Sequence, residues 1–358
     1  MKTKLESFET YRGFAALMIA AIHFKVNSPL VNHVFANGFF VHFFFTLSGF
    51  VMYLNYRDRI SSIKTMLNFL KKRFLRLYPL HVLFLFIFLC IEIFKYLLEI
   101  NYNIFANNKA FSINNLESLI GNLLLFQTFF DYNSFNTPSW SISAEYYTYI
   151  LFAVVLIFFP KRLLLIILFL VCIVFFRIYS DVGFGINYTF HSFLDCVYCF
   201  FIGLLSCKLY FKFSNNDFYK INYQIFCFIF LLLSIISMIY FKDEYQYLLP
   251  FIFGILLFFS ARLNKNDFIG KFICNKYFVY LGTISYSVYM CHLFVFWSLT
   301  QIYRFIFKVN TTKDIEGVIK IDLNLFQSNL MIIISYILTI LFSHILYKYF
   351  ETKFYKPK

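Results

Sequence analysis

Apolar positions in this chain come in long unbroken runs rather than in the i, i+3, i+4 stripes that mark the surface helices of soluble proteins. Ten runs read as membrane-spanning helices, at 8–24, 38–55, 77–98, 141–159, 163–178, 189–207, 223–241, 245–261, 278–303 and 328–347. One shorter apolar piece, residues 118–130 (LIGNLLLFQTFF and its flank), is expected to be re-entrant or to lie at the interface. The pattern therefore predicts an all-α integral membrane fold with about ten transmembrane helices. Only the connections 56–76, 99–140 and 304–327 exceed about fifteen residues, and no repeat or linker divides the chain, so residues 1–358 read as a single polytopic membrane domain with no soluble accessory domain.

Composition agrees: 61% of residues are hydrophobic, 24% aromatic and only 14% charged, against the 45–50% apolar content of ordinary soluble domains. The net charge of +14 invites a nucleic-acid reading, but its distribution follows topology instead. With the N- and C-termini in the cytoplasm, 23 of the 32 Lys and Arg fall inside and nine outside, the bias expected of membrane loops. A crossing by 118–130 would invert the later loops and turn Lys161 and Arg162 outward. Lys2 and Lys4 precede a segment without a small-residue cleavage site, so the first span is expected to stay attached. The eight cysteines lie almost all in apolar stretches without metal-like spacing, so no metal is expected.

Against this background the ionisable residues inside the runs stand out, because a charge in the bilayer is disfavoured by several kcal/mol. Arg12 and His23 share the first run. Eleven residues turn a helix through about 1100°, which brings His23 to within about 20° of the Arg12 face, roughly 16 Å further along. In the 56–76 connection, Lys71, Lys72, Arg73 and Arg76 crowd the mouth of the third span, which Tyr78-Pro79 is expected to open. Such a cluster serves as a topological anchor against anionic lipid or as a clamp for a multiply phosphorylated ligand.

At the start of the fourth span, Pro138-Ser139-Trp140-Ser141 precedes Glu145, a carboxylate about one turn inside an apolar helix. Ser139 or Ser141 is a candidate helix cap and Trp140 a candidate interface anchor. Near the C-terminus, Ser285, Tyr289 and His292 fall at i, i+4 and i+7, beside Tyr286, on one helical stripe. Weaker candidates for an acceptor cavity are His42, His81, His191, Asp195 and Arg177, with interhelical hydrogen bonding as the plain alternative for each.

Taken in order, these segments resemble the membrane-bound acyltransferase 3 family. The resemblance rests on Tyr11-Arg12-Gly13-Phe14-Ala15-Ala16 with His23, then Phe43-Phe44-Phe45-Thr46-Leu47-Ser48-Gly49-Phe50 and Lys72-Arg73-Phe74-Leu75-Arg76-Leu77-Tyr78-Pro79. It continues through Pro138-Ser139-Trp140-Ser141 with Glu145 to Leu281-Gly282-Thr283-Ile284-Ser285-Tyr286-Ser287-Val288-Tyr289 with His292. It implies transfer of an acyl group, most often acetyl, to a hydroxyl of a surface glycan or of a small lipophilic acceptor. Two departures matter. The family's paired acids after Trp-Ser are here Glu145-Tyr146, and its C-terminal Glu-Arg-Pro is here Glu351-Thr352-Lys353, so Glu351 is read as structural. Many relatives also carry an extracytoplasmic hydrolase-like domain, so transfer here is expected within the membrane part or with a partner.

Resemblance and spacing together imply that acetyl-CoA is the acyl donor. Its phosphates would meet Arg12, Lys72, Arg73 and Arg76, and its pantetheine arm would reach His23. His23 would act as general base or acyl relay, with Arg12 and Glu145 as its catalytic companions. Trp140, Ser141, Ser285, Tyr289 and His292 would bind the substrate. A composition rich in Lys, Asn, Ile and Phe fits an AT-rich bacterium, which suggests the cytoplasmic (inner) membrane and lipopolysaccharide O-antigen or another envelope glycan, or a lipid-linked saccharide, as acceptor. The expected partners are thus that acceptor and the lipid bilayer, without nucleic acid; the sequence gives no reading of oligomeric state. A glycan-lipid flippase would also need about ten spans and buried charges, but it should show related halves, which the chain lacks. A glycan polymerase or ligase would be expected to carry a larger outer loop than 99–140.

Overall fold

The computed structural model describes residues 5–24, 26, 39–104, 108–130, 132–177, 190–213, 218–241, 243–313 and 319–354. Each of the ten apolar runs meets a helix. In chain order these are α1 (Glu6–Ile22), α2 (Phe39–Tyr56), α3 (Ile63–Tyr102), α4 (Leu116–Leu123), α5 (Trp140–Phe158), α6 (Leu163–Arg177), α7 (Phe190–Lys212), α8 (Phe218–Tyr240), α9 (Leu249–Ser260), α10 (Phe268–Ile273), α11 (Lys276–Thr283), α12 (Ser285–Phe305) and α13 (Leu325–Leu346). Among the described residues six helices are long and apolar enough to cross a membrane, or seven if the bent pair α11 and α12 is one span. Helices α1, α6 and α9 have 17, 15 and 12 residues. At 1.5 Å per residue they reach only about 18–26 Å, short of the roughly 30 Å hydrocarbon layer, so ten full spans are not what the helix lengths give.

Three further features depart from the sequence reading. The 56–76 connection is helical: Ser62 and Thr65 form a capping box that starts α3 at Ile63, and the helix runs for 40 residues through the basic cluster. Pro79 therefore lies inside α3 instead of opening it, at the expense of one backbone hydrogen bond in a helix about 60 Å long. The run 278–303 is broken: α11 and α12 meet at an angle of 68°. Part of the 304–327 connection pairs as two short antiparallel strands, β1 (Thr311–Lys313) and β2 (Ile319–Ile321). Segment 118–130 contains only the eight-residue α4, about 12 Å long and too short to cross. Its Leu116, Ile120 and Leu123 are exposed while Ser118, Gly121 and Asn122 are buried.

Close helix crossings on glycine hold the bundle together, as expected where lipid tails are as apolar as the side chains and only tight packing favours association. In α2 and α7 a Cβ on Gly49 would stand 1.8 Å from the carbonyl oxygen of Phe200, and one on Gly203 1.8 Å from that of Thr46. The same arrangement fixes α1 to the break before α12, where a Cβ on Gly282 would lie 1.8 Å from the Glu9 carbonyl oxygen. Thr10 Oγ1 donates to Ile273 O at 2.6 Å, and Lys265 donates to Glu6 at 2.8 Å, a bond that raises the Lys265 pKa. The N-terminal half of α1 is thereby held against the 260–283 region.

Gly203→Ala is expected to push α2 from α7 and destabilise the bundle by about 1–3 kcal/mol or more, because backbone cannot move aside as a side chain can. Gly254→Ala, whose added Cβ would meet only ordinary contacts of 3.4–3.9 Å, should be tolerated. Thermal unfolding in detergent, followed with a thiol-reactive dye on the buried cysteines, reads both; equal midpoints would contradict the crossing argument.

Candidate active site

Six segments enclose one cavity of about 190 Å³. The first turns of α1 contribute Glu9 and Arg12, the second half of α2 contributes Ser48, Asn55 and Tyr56, and α3 contributes Arg73 and Arg76. Ser141, Glu145 and Tyr149 come from α5, Thr283, Ser285, Tyr286 and Tyr289 from the break and first turns of α12, and Tyr347 and Glu351 from a π-helical turn after α13. Three guanidinium groups and three carboxylates therefore share one enclosure inside an apolar bundle.

Arg12, Arg73, Glu9, Glu145 and Glu351 are each held by specific bonds. Arg73 is only 5% exposed and donates from Nη2 to Tyr56 Oη at 3.1 Å, with its guanidinium 5.4 Å from the Tyr56 ring centre. Arg12 pairs with Glu9 one turn earlier at 3.4 Å. Two donors are left over: among the described residues, the buried Nε–H groups of Arg12 and Arg73 have no acceptor. Buried N–H groups without partners are disfavoured by about 1–3 kcal/mol, more when charged, so this arrangement suits an anionic ligand. Lys71 and Lys72 lie on the exposed side of α3, and neither lines the cavity. The N-terminal turn of α12 also lines the wall, adding the partial positive charge of a helix start.

The carboxylates are equally anchored. Glu145 Oε1 accepts from Ser48 Oγ at 2.5 Å and from Tyr149 Oη, one turn along α5. Glu351, 5% exposed, accepts from Ser287 Oγ at 2.8 Å. Sequence reasoning missed Ser48, Tyr149 and Tyr56, although Tyr149 stands at i+4 from Glu145 and that spacing was a usable signal. It set Glu351 aside as structural; the structure places it on the cavity wall.

The far end of the cavity is closed by a junction between α5 and α12. Tyr289 Oη donates to Pro138 O at 2.7 Å and is hydrogen-bonded to Ser141 Oγ at 2.7 Å, while Asn136 Nδ2 donates to Met290 O at 2.9 Å. Ser139 occupies the N-cap position of α5 without a capping bond, Ser141 serves this junction, and Trp140 is 4% exposed and packed edge-on to Phe45. None of the three does the capping or interface work expected of it.

His23 and His292 face each other next to this junction and outside the cavity lining: His23 Nδ1 and His292 Nε2 are 3.2 Å apart, with ring centres at 5.0 Å. His23 sits at the C-cap of α1, and its Nδ1 is also 3.0 Å from Ile19 O; His292 Nδ1 is 3.2 Å from Val288 O. One pair of neutral tautomers satisfies all three contacts. His292 Nδ1–H donates to Val288 O, which leaves its Nε2 to accept from His23 Nδ1–H, and the lone pair of His23 then lies on Nε2. A neutral imidazole so oriented by a second group can take a proton at Nε2. Glu145, the expected companion of His23, is instead bonded to Ser48 and Tyr149.

The weaker candidates stand apart from the cavity. His81 Nε2 is 2.9 Å from Asn122 O and ties α3 to α4, while His42 and Asp195 are buried and His191 is half-buried. The Arg177 side chain lies outside the described residues. Among the described residues no cluster of His, Cys, Asp or Glu is placed to hold a metal ion.

Apolar helices of membrane-crossing length around a charged, bonded cavity define an integral membrane protein with a polar site inside its helix bundle. The chain belongs to the acyltransferase 3 family: the family model, described as an acyltransferase domain, matches residues 5–348. It is similar to the acyltransferase MdmB of Streptomyces mycarofaciens, with 31% identity over 162 residues, which is 42% of this chain and 38% of that relative. The chain thus matches well under half of the length of that curated relative. No solved structure matches it.

Glu145→Ala should leave the Ser48 and Tyr149 hydroxyls without their acceptor and lower stability by about 1–3 kcal/mol, whereas Glu145→Gln keeps an oxygen acceptor and should lose less. The order of the three melting temperatures in detergent checks this, and an alanine variant as stable as the glutamine variant would contradict it.

Proposed function

We propose that the protein transfers an acetyl group from cytoplasmic acetyl-CoA to a hydroxyl of a cell-envelope glycan such as lipopolysaccharide O-antigen, in the bacterial inner membrane. Family membership supports acyl transfer. The observation that carries the donor assignment is the pair of buried, unpartnered Nε–H groups of Arg12 and Arg73 in a cavity shared with Arg76. Three guanidiniums suit a multiply phosphorylated donor because each offers a planar fork of N–H donors to phosphate oxygens. Lys72, on the exposed side of α3, would meet the outer phosphates or the lipid head groups. The proposed topology, with ten membrane-embedded helices or half-length helices and both termini cytoplasmic, puts the arginine mouth on the cytoplasmic side.

From that mouth the pantetheine arm runs toward the Ser141–Tyr289 junction. The two hydroxyls there, with Ser285 nearby on the wall, suit a thioester carbonyl or an acceptor hydroxyl. Opening the junction brings the thioester to His23. His23 Nε2 takes the proton of the acceptor hydroxyl as its oxygen attacks the acetyl carbonyl, and the thiolate of CoA leaves and is protonated. His292 holds the His23 tautomer and accepts part of the charge that develops on the imidazolium. In a two-step variant His23 Nε2 itself accepts the acetyl group and passes it on. On this reading His292 positions the base and does not hold the sugar, and Glu145 shapes the donor channel through Ser48 and Tyr149 without reaching His23.

Membranes containing the protein are incubated with radiolabelled acetyl-CoA and isolated envelope glycan. Label is expected on the glycan with wild type and to fall about 10²–10⁴-fold with His23→Ala. Undiminished label with His23→Ala would overturn the role of His23, and no label on any glycan or lipid acceptor would overturn the transferase reading of the site. Arg73→Lys keeps the charge but loses the fork, and it should raise KM for acetyl-CoA about tenfold with little change in KM for glycan. An equal rise in both constants would argue against the donor assignment.

A further inference from the structure

A second cavity lies at the other end of α3. It measures about 230 Å³, many times the roughly 10–15 Å³ that one water needs, and Glu92, Lys95, Asn108, Lys109, Ile113, Asn114, Asn133, Ser134, Phe135 and Thr137 line it. Arg76 in the first cavity and Lys95 in the second are 19 residues apart on α3, roughly 28 Å along the axis, close to the thickness of the hydrocarbon layer. The two cavities thus lie about one hydrocarbon thickness apart along α3.

This cavity is a built structure. Glu92, 6% exposed, accepts from Lys95 Nζ at 2.9 Å, from Asn114 Nδ2 at 2.9 Å and from the Phe111 backbone N–H at 3.1 Å. Glu99 accepts from the Ala110 N–H at 2.9 Å. These bonds hold Phe111 at φ 58°, in the left-handed region that a bulky residue avoids, so the 108–114 segment is fastened to α3 against backbone strain. On the opposite wall the Ser134 hydroxyl is buried and has no partner among the described residues, as is true of Asn136 Oδ1 two residues on. That wall is the segment which, through Asn136 and Pro138, is bonded to Met290 and Tyr289, two and three residues before His292.

We propose that this cavity binds a saccharide unit of the acceptor glycan and delivers its hydroxyl toward the His23–His292 pair. The assignment rests on the reading of the protein as a glycan acyltransferase and names the binding site that reading lacks. Its chemistry is that of a sugar subsite: the side-chain amides of Asn108, Asn114 and Asn133 and the hydroxyls of Ser134 and Thr137 face hydroxyl groups. Ile113 and Phe135 supply apolar surface for the C–H face of a ring. Lys95 is neutralised by Glu92, which leaves the exposed Lys109 as the excess positive charge in the lining and favours a glycan carrying acidic groups. A lipophilic acceptor would leave this row of polar groups unpaired.

The full chain in lipid nanodiscs is examined by saturation-transfer difference NMR with three millimolar probes: a neutral methyl hexoside, a methyl N-acetylhexosaminide and a methyl hexuronide. Ring-proton signals above those of empty nanodiscs are expected for at least one probe. The exposed double variant Asn108→Ala/Asn133→Ala, whose changes leave the bonds of Glu92 intact, should weaken them by about fivefold or more, as lost hydrogen bonds imply. No signal for any probe, or signals undiminished in the double variant, would overturn the proposal. The His23→Ala protein should keep the signals. If wild type binds a sugar yet transfers no acetyl group, the donor chemistry fails and the sugar site stands.

Discussion

An ion buried in an apolar helix bundle must be held by other groups, and this rule organises the molecule. In a chain with only 14% charged residues, six charged side chains converge on one cavity. The bonds that keep them, Tyr56 on Arg73, Ser48 and Tyr149 on Glu145, and Ser287 on Glu351, each join two different helices or successive turns of one. The charged groups and their partners together come from α2, α3, α5, α12 and the turn after α13. The site therefore fixes how the helices meet as much as the helices fix the site.

Glycine makes that convergence possible from the other direction. The crossings at Gly49, Gly203 and Gly282 bring backbone to backbone, which draws α2 against α7 and the α11–α12 break against the charged turn of α1. The 68° break sets the start of α12, with Ser285, Tyr286 and Tyr289, on the wall of the cavity that the arginines line. A straight helix over 276–305 would carry Ser285 and His292 on the same stripe but without a helix start at the cavity wall.

Much of this was legible in the sequence because hydropathy and buried charge are local properties. Ten apolar runs meet ten helical stretches, and Arg12, Arg73, Arg76, Ser141, Glu145, Ser285 and Tyr289 all reach one cavity. What stayed hidden depends on contacts between distant segments. Lys72 and Arg73 are adjacent letters, yet a step of about 100° turns one outward and the other into the cavity. Pairing His23 with Glu145 follows from family logic, whereas the partner 3.2 Å away is His292, and no spacing rule links residues 269 positions apart. Among the described residues, helix length supports six or seven spans where hydropathy alone reads ten, because α1, α6 and α9 are apolar but short. Pro79 misled because proline is read as a helix start, while an upstream capping box had already set the first turn.

Reading α3 from end to end shows why a helix of 40 residues belongs in this fold. Its first third lies beyond the apolar stretch and carries the arginines; its last third carries Glu92 and Lys95, which hold the loop of the second cavity. A helix just long enough to cross would reach only one of the two. By running through both, α3 sets the distance between the arginine-lined cavity and the second, polar one at roughly 28 Å. The 133–141 segment and the start of α12 close the space between them at Pro138, Ser141 and Tyr289. The histidine pair adjoins this closure. On the proposed reading, an acyl group and a hydroxyl entering from opposite ends would meet across the Tyr289 junction, whose bonds would keep water from a thioester.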